Sequence, residues 1–334
     1  MNINVPETDK KAGVFYAVTN DGMELPVIDI THPAFMLREG SGIGLTEKGF
    51  SALWRLAGKA LSPWFRDRSL LARGMKRADG AYLDGMSTYL MKLGPENLGK
   101  GYARALDRRI AASELAISLR LRLRDMASFL ADGTAPLLGA RPGAPIHLVN
   151  IGGGPSMDSL NALILLARGG APLLPRRRIT VHVLDLDPDG PAFGARALAA
   201  LQSEGGPLSG LDVSFRYEPY DWRDGAKLRG YLESCNREEA VMTGSSEGAM
   251  FSYASDREIS ENLEAIRGAT PDGFCMACSV ARSDREAGRP SKRRGPALRP
   301  RGWEDLQEIL VSKGWVPTRI GGTSFSRHFL LVKA

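Results

Sequence analysis

An α/β fold is the class the sequence predicts: a seven-stranded, mostly parallel sheet ending in a C-terminal antiparallel hairpin, behind a mainly α-helical N-terminal segment. Three observations carry it. From residue 146 onward, apolar runs of strand length alternate with segments of helical periodicity, a pattern that builds a parallel sheet covered by helices on both faces. The final stretch, "WVPTRIGGTSFSRHFLLVKA", holds two such runs joined through Gly321 and Gly322, as a hairpin requires. Before residue 140 the strongest patterns are helical instead.

Taken in order, "GVFYAVT", "NDG" and "MELPVIDI" read as strand, turn and strand, a small hairpin arm, because Asn, Asp and Gly accept the positive φ of a tight turn. Helices are expected over "EKGFSALWRLAGKAL", around "YLDGMSTYLMKLG" and over "DRRIAASELAISLRLRLRDMASFLADG". In the last, Leu115, Leu119, Leu123, Met126 and Leu130 recur at steps of four and three, with Gly133 as the expected stop. "GTAPLLGARPGAP" is a linker by composition, which puts a boundary near residue 140: a cap and lid over 1–140 and a second unit over 141–334. There "IHLVNI", "ITVHVLDL", "DVSFRYEPY", "EEAVMTGSS" and "GFCMACSVA" are the parallel strands. Ligands of such sheets gather at the carboxyl ends of the strands, beside the point where strand order reverses.

Composition bounds the function. A chain of 334 residues, 43% apolar, can bury a large core. The start, "MNINVPETDKK", has no apolar signal core, no stretch reaches the length of a bilayer span, and three cysteines are too few for a disulfide framework. Cytoplasmic residence without a membrane partner is the expectation. The net charge of +6 sits largely in "ARSDREAGRPSKRRGPALRPRG", which has no aromatic for base stacking and reads as a solvated, mobile loop, not as a nucleic-acid surface. Cys275 and Cys278 lie three apart in one strand and so face opposite sides, which supports neither zinc nor redox chemistry, and no metal is expected. His147 and His182 fall within strands and read as packed core imidazoles; His32 reads as a turn residue.

The motif that carries chemistry is "IHLVNIGGGPSMDSL", with Gly152, Gly153 and Gly154 between a strand and a helix. Bare backbone there lets a ligand approach closely. Met157 occupies the third position of a dinucleotide fingerprint, which argues against NAD. The order of strand, glycine loop, helix and strand ending in an acid, with the closing hairpin, resembles the class I S-adenosylmethionine-dependent methyltransferases, with their Rossmann-like sheet, over residues 145–334.

That resemblance implies S-adenosylmethionine as cofactor. It implies contacts to it from Asn150, which stands where the family has an acid, and from Gly152, Gly153 and Gly154. Asp185, with Asp187 as rival, would take the ribose hydroxyls, and Asp221, with Tyr220 or Trp222, the adenine. The loop after the fourth strand would bring Ser245 and Ser246 to the cofactor and Glu247 and Tyr253 to the chemistry. The Asn or Asp, Pro, Pro, aromatic motif of nucleobase amine methyltransferases is absent. The N-terminal segment would close over the site, with Tyr82, Met86, Tyr89 and Met91 as candidate lining, although helical packing explains the same spacing. Methyl transfer to a small metabolite is the expected activity. Asn150 in place of an acid motivates an alternative, use of the aminocarboxypropyl arm, by transfer as in nicotianamine synthase or by cyclisation to azetidine-2-carboxylate with release of methylthioadenosine. A noncatalytic cofactor-binding protein is a further alternative. Sequence sets neither the acceptor nor the oligomeric state, a homodimer included.

Overall fold

A computed structural model describes residues 10–37, 71, 84–98, 105–236, 239–283 and 298–334. The helix expected over "EKGFSALWRLAGKAL", Tyr82, and most of the arginine-rich loop lie outside the described residues.

The hairpin arm forms as read, β1 (Tyr16–Val18) pairing antiparallel with β2 (Glu24–Pro26). Helices α1 (Gly85–Lys92), α2 (Ala105–Ala111) and α3 (Glu114–Ala140) follow. Asp84 caps α1 by accepting from the Ser87 amide, and Ser113 caps α3, each satisfying an otherwise unpaired N–H of the first turn. Then come β3 (Ile146–Ile151), α4 (Met157–Arg168), β4 (Arg178–Asp185), α5 (Asp189–Gln202), β5 (Asp212–Pro219), α6 (Gly225–Cys235) and β6 (Val241–Ser246). The chain continues through α7 (Met250–Tyr253), α8 (Asp256–Ala269), β7 (Cys275–Ala281), α9 (Trp303–Ser312), β8 (Trp315–Gly322) and β9 (Ser326–Lys333).

The seven-stranded sheet runs β5-β4-β3-β6-β7-β9-β8, with β9 antiparallel to both neighbours. Strand order reverses between β3 and β6, and both strands are buried along their whole length. Cys275 packs in the cluster on one face of the sheet and Cys278 in the cluster on the other, as their odd spacing requires. Among the described residues no helix is long and apolar enough to cross a membrane.

One boundary is corrected. Helix α3 does not stop at Gly133; it runs seven residues further to Ala140, through Pro136 and half of the expected linker. Gly133 is a packing residue. A Cβ there would lie 2.6 Å from Cys275 Sγ and 3.3 Å from Leu330 Cδ2, so its bare backbone is what lets α3 lie on the sheet. Residues of the arm, α1 and α3, such as Leu25, Tyr89 and Leu123, share one apolar cluster with Leu148 and Val181 of the sheet.

Candidate functional site

A cavity of about 450 Å³ opens where strand order reverses, at the carboxyl ends of the parallel strands. That volume lies within the range of small-molecule sites. Its two long walls differ in construction.

The first wall is backbone. Gly152, Gly153 and Gly154 line the cavity after β3. Gly152 has φ +66° and Gly154 φ +53°, conformations that side chains other than glycine rarely adopt. What a Cβ would strike is protein: at Gly154, Gly85 Cα of α1 at 2.6 Å; at Gly152, Ala249 Cβ at 2.5 Å; at Gly153, Asn150 Oδ1 at 1.6 Å. The triple glycine therefore lets three elements close on one another, and what remains exposed to the cavity is peptide backbone.

Asp185, at the end of β4, also lines this wall. Its Oδ2 accepts from the Gly154 amide at 2.8 Å and its Oδ1 from the Asp187 amide at 3.0 Å. Burial raises its pKa, the two amides opposing and the Asp187 charge adding to the rise. Tyr220 and Trp222 line the next strand end. Asn262 of α8 fixes both, accepting from the Tyr220 hydroxyl at 2.6 Å and donating to the Trp222 carbonyl at 2.6 Å.

Four expected ligands are placed elsewhere. Asn150 is fully buried beneath the glycine loop, its amide donating to Asp158 Oδ1 at 2.6 Å and Ser245 Oγ at 3.0 Å. It is absent from the cavity lining, as are the buried Ser245 and Ser246. β3 and β6 are parallel neighbours with Asn150 opposite Ser245, so the Asn150 amide finds an acceptor inside the sheet, while Asn150 Oδ1 and Ser246 Oγ are buried with no hydrogen-bond partner among the described residues. Asp221 is likewise absent from the lining: Arg223, two residues on, donates to both carboxylate oxygens. Asp158, which sequence reasoning missed, sits under the loop with its pKa raised to about 6, by burial first and the Glu247 charge second.

The second wall is built from side chains. Glu247 after β6 lines the cavity together with Lys92 of α1 and Arg122 of α3. Lys92 Nζ lies 2.6 Å from Glu247 Oε1, and Arg122 Nε donates to the same oxygen at 3.1 Å. Burial would push the Glu247 carboxyl up, but the two cations hold it below the ordinary range. So held, Glu247 is an anion tied to two partners and a weak proton acceptor. Tyr253 lines this side, as do Ser118 of α3 and Ser326 of β9. Of the N-terminal lining candidates within the described residues, Tyr89 reaches the cavity, with its hydroxyl donating to the Pro26 carbonyl. Met86 and Met91 do not.

His32 accepts from the Ala34 amide in a turn, and His147 and His182 are buried with ring nitrogens 2.7 Å apart. The mobile-loop reading needs correction at the ends of the arginine-rich stretch. Arg301 is buried, pairs with Asp256 at 2.8 Å and donates to the Phe251 carbonyl, while the Arg299 amide bonds the Ser252 carbonyl.

No family model matches the sequence and no curated protein matches it. Among solved structures, a Bordetella parapertussis protein described as a "possible exported protein" is 16% identical with a TM-score of 0.51, covering 79% of this chain and 86% of that one. Magnesium protoporphyrin IX methyltransferase of Synechocystis, with bound S-adenosylmethionine, is 17% identical with a TM-score of 0.40, over 66% of this chain and 84% of that one. Mitomycin 7-O-methyltransferase is 13% identical with a TM-score of 0.39, over 82% and 69%. The strand order, with a switch point between β3 and β6 and an antiparallel β9 inserted beside β7, is the Rossmann-like fold of class I S-adenosylmethionine-dependent methyltransferases.

Proposed function

We propose that the chain is an S-adenosylmethionine-dependent methyltransferase acting on a small molecule. The observation that carries this reading is the position of the cavity. It is lined by glycine-loop backbone, a strand-end carboxylate and an indole, and roofed by α1 and α3. These residues fit the group. Asp185 retains lone pairs for the ribose hydroxyls, Trp222 offers an aromatic face, and exposed loop backbone suits close approach. S-adenosylmethionine, when bound, supplies a methyl carbon activated by its sulfonium. The chain's own part is to hold the acceptor close in a space from which water is excluded. Residues 1–140 then act as the roof and 141–334 as the cofactor-binding unit. Three buried cysteines that form no disulfide suit a reducing compartment such as the cytoplasm.

A second reading, attack on the aminocarboxypropyl arm, is favoured by one observation: the end of β3 presents no carboxylate to the cavity. Incubation with S-adenosylmethionine and a metabolite extract, followed by mass spectrometry, separates the two. S-adenosylhomocysteine is the product expected of methyl transfer, and methylthioadenosine would move the assignment to the other arm.

A further inference from the structure

Methyl transfer to a hydroxyl or amine requires that a proton leave, and Glu247, held by two cations, is poorly suited to take it. Another group on the same wall is suited. Ser326 lines the cavity at the start of β9, and its Oγ lies 2.8 Å from Nε2 of His328. Nδ1 of His328 lies 2.9 Å from Oδ2 of Asp125 on α3. His328 is fully buried, whereas the Asp125 side chain is 18% exposed, so the chain of groups runs from the cavity wall toward solvent. Residues 326 and 328 share one side of a strand by alternation, and α3 lies against that side.

Two details set the direction. Burial pushes the Asp125 carboxyl up, but the hydrogen bond from His328, with help from Arg124, brings it below its ordinary value. It is therefore an anion that accepts, and it fixes the His328 proton on Nδ1. Nε2 is then left as an acceptor for the Ser326 hydroxyl, the arrangement in which an imidazole withdraws a proton from a serine. Ser118 Oγ, also on the cavity wall, bonds Thr323 Oγ1, which in turn lies 3.3 Å from Ser326 Oγ, so the hydroxyl is held from a second side.

We infer that Ser326, His328 and Asp125 form a proton relay that deprotonates the acceptor. As the acceptor's X–H bond breaks, its proton passes to Ser326 Oγ while the serine's own proton passes to His328 Nε2. The electron pair stays on X, and the resulting imidazolium is countered by Asp125; once the acceptor has reacted, Nε2 returns the proton through Ser326 Oγ to water entering the cavity, which restores the Nδ1–H tautomer. Ser326 is the group that meets the acceptor; His328 and Asp125 act through it. This rests on the reading of the cavity as a transferase site and assigns the acceptor a protonated oxygen or nitrogen.

The relay is tested on the full chain labelled with ¹⁵N-histidine, by long-range proton–nitrogen correlation at pH 7.5. The expected spectrum shows neutral His328 with its proton on Nδ1, and a shifted Nε2 resonance in Ser326→Ala, which also provides the assignment. A proton on Nε2, or an imidazolium, would overturn the relay, because Nε2 could not then accept. Activation of the hydroxyl is read with a fluorophosphonate probe. Ser326 should label in the wild type and slow by about 10²-fold or more in Asp125→Asn, with the affinity for S-adenosylmethionine unchanged by calorimetry. An unlabelled wild type, or an undiminished rate in Asp125→Asn, would contradict the proposal. If the wild type labels and shows the expected tautomer but binds no S-adenosylmethionine, the cofactor reading fails and the serine activation stands.

Discussion

The two walls of the cavity are built on opposite plans. On the β3 side the material is mostly backbone: three consecutive glycines closed on Gly85 and Ala249, with Asp185 bonded to the loop it faces and Asp187 beside it. On the β6 and β9 side the material is side chains from segments far apart in sequence, Lys92 and Arg122 on Glu247 and the Ser326–His328–Asp125 chain. The first plan places a ligand by shape and peptide groups. The second places charge and protons.

Substitutions separate the two plans. The largest effect is expected from Glu247→Ala, which leaves Lys92 buried beside Arg122 without its carboxylate. Removing one partner of a buried pair costs about 3–5 kcal/mol, to be read by denaturant unfolding. The double variant Lys92→Met/Glu247→Leu should recover most of that loss, since apolar replacement of both partners is often neutral. Failure to recover would mean that the pair's geometry, not its charge balance, holds the wall.

The next effect is electrostatic and lies under the glycine wall. Asp158 has its folded pKa raised to about 6 from 3.8, so the folded state binds the extra proton more tightly than the unfolded state. The stability this gives is fully present below the unfolded value and is lost as pH rises through about 6. Asp158→Asn keeps the shape without the charge. The stability difference, wild type minus variant, should therefore fall by up to about 3 kcal/mol between pH 4 and 7. A difference that stays flat with pH would show that Asp158 is ionised in the fold.

Gly154→Ala combines a left-handed backbone with a Cβ placed 2.6 Å from Gly85 Cα, and about 2–4 kcal/mol of destabilisation is expected from strain and overpacking together. Gly143→Ala is the control. Its φ is +79° but nothing lies within 4 Å of the added carbon, so only the backbone cost of about 1–2 kcal/mol applies. Equal losses at the two sites would remove the case that the loop's glycines serve internal packing.

The same contrast decides what the sequence could reveal. The backbone wall was legible because strand, glycine loop, helix and strand-end acid are contiguous and each leaves a local pattern. Asp185, which the resemblance implies, and its rival Asp187 both line the cavity. Asp221, at a strand end by the same logic, turns out to be taken by Arg223, a neighbour whose reach no local pattern fixes. Of the side-chain wall, Glu247 and Tyr253 were expected and the rest left little trace. Lys92 and Arg122 sit in helices where periodic cations read as a solvated face, and Ser326 and His328 are alternate residues of an ordinary strand. Their partners stand far off, 155 positions between Lys92 and Glu247 and 203 between Asp125 and His328. Helix α3 ran past Gly133 for a related reason: the residue that excuses the glycine, Cys275, lies on a distant strand.

The central claim, that the backbone wall takes S-adenosylmethionine, is tested most directly by calorimetric titration of the cofactor into the wild type and Asp185→Ala. The account predicts saturable one-to-one binding to the wild type. Asp185→Ala should weaken it by about 1–3 kcal/mol, roughly fivefold to 150-fold, through ribose hydroxyls left without their acceptor. Absence of binding by the folded wild type, or equal affinity in the folded variant, would contradict it.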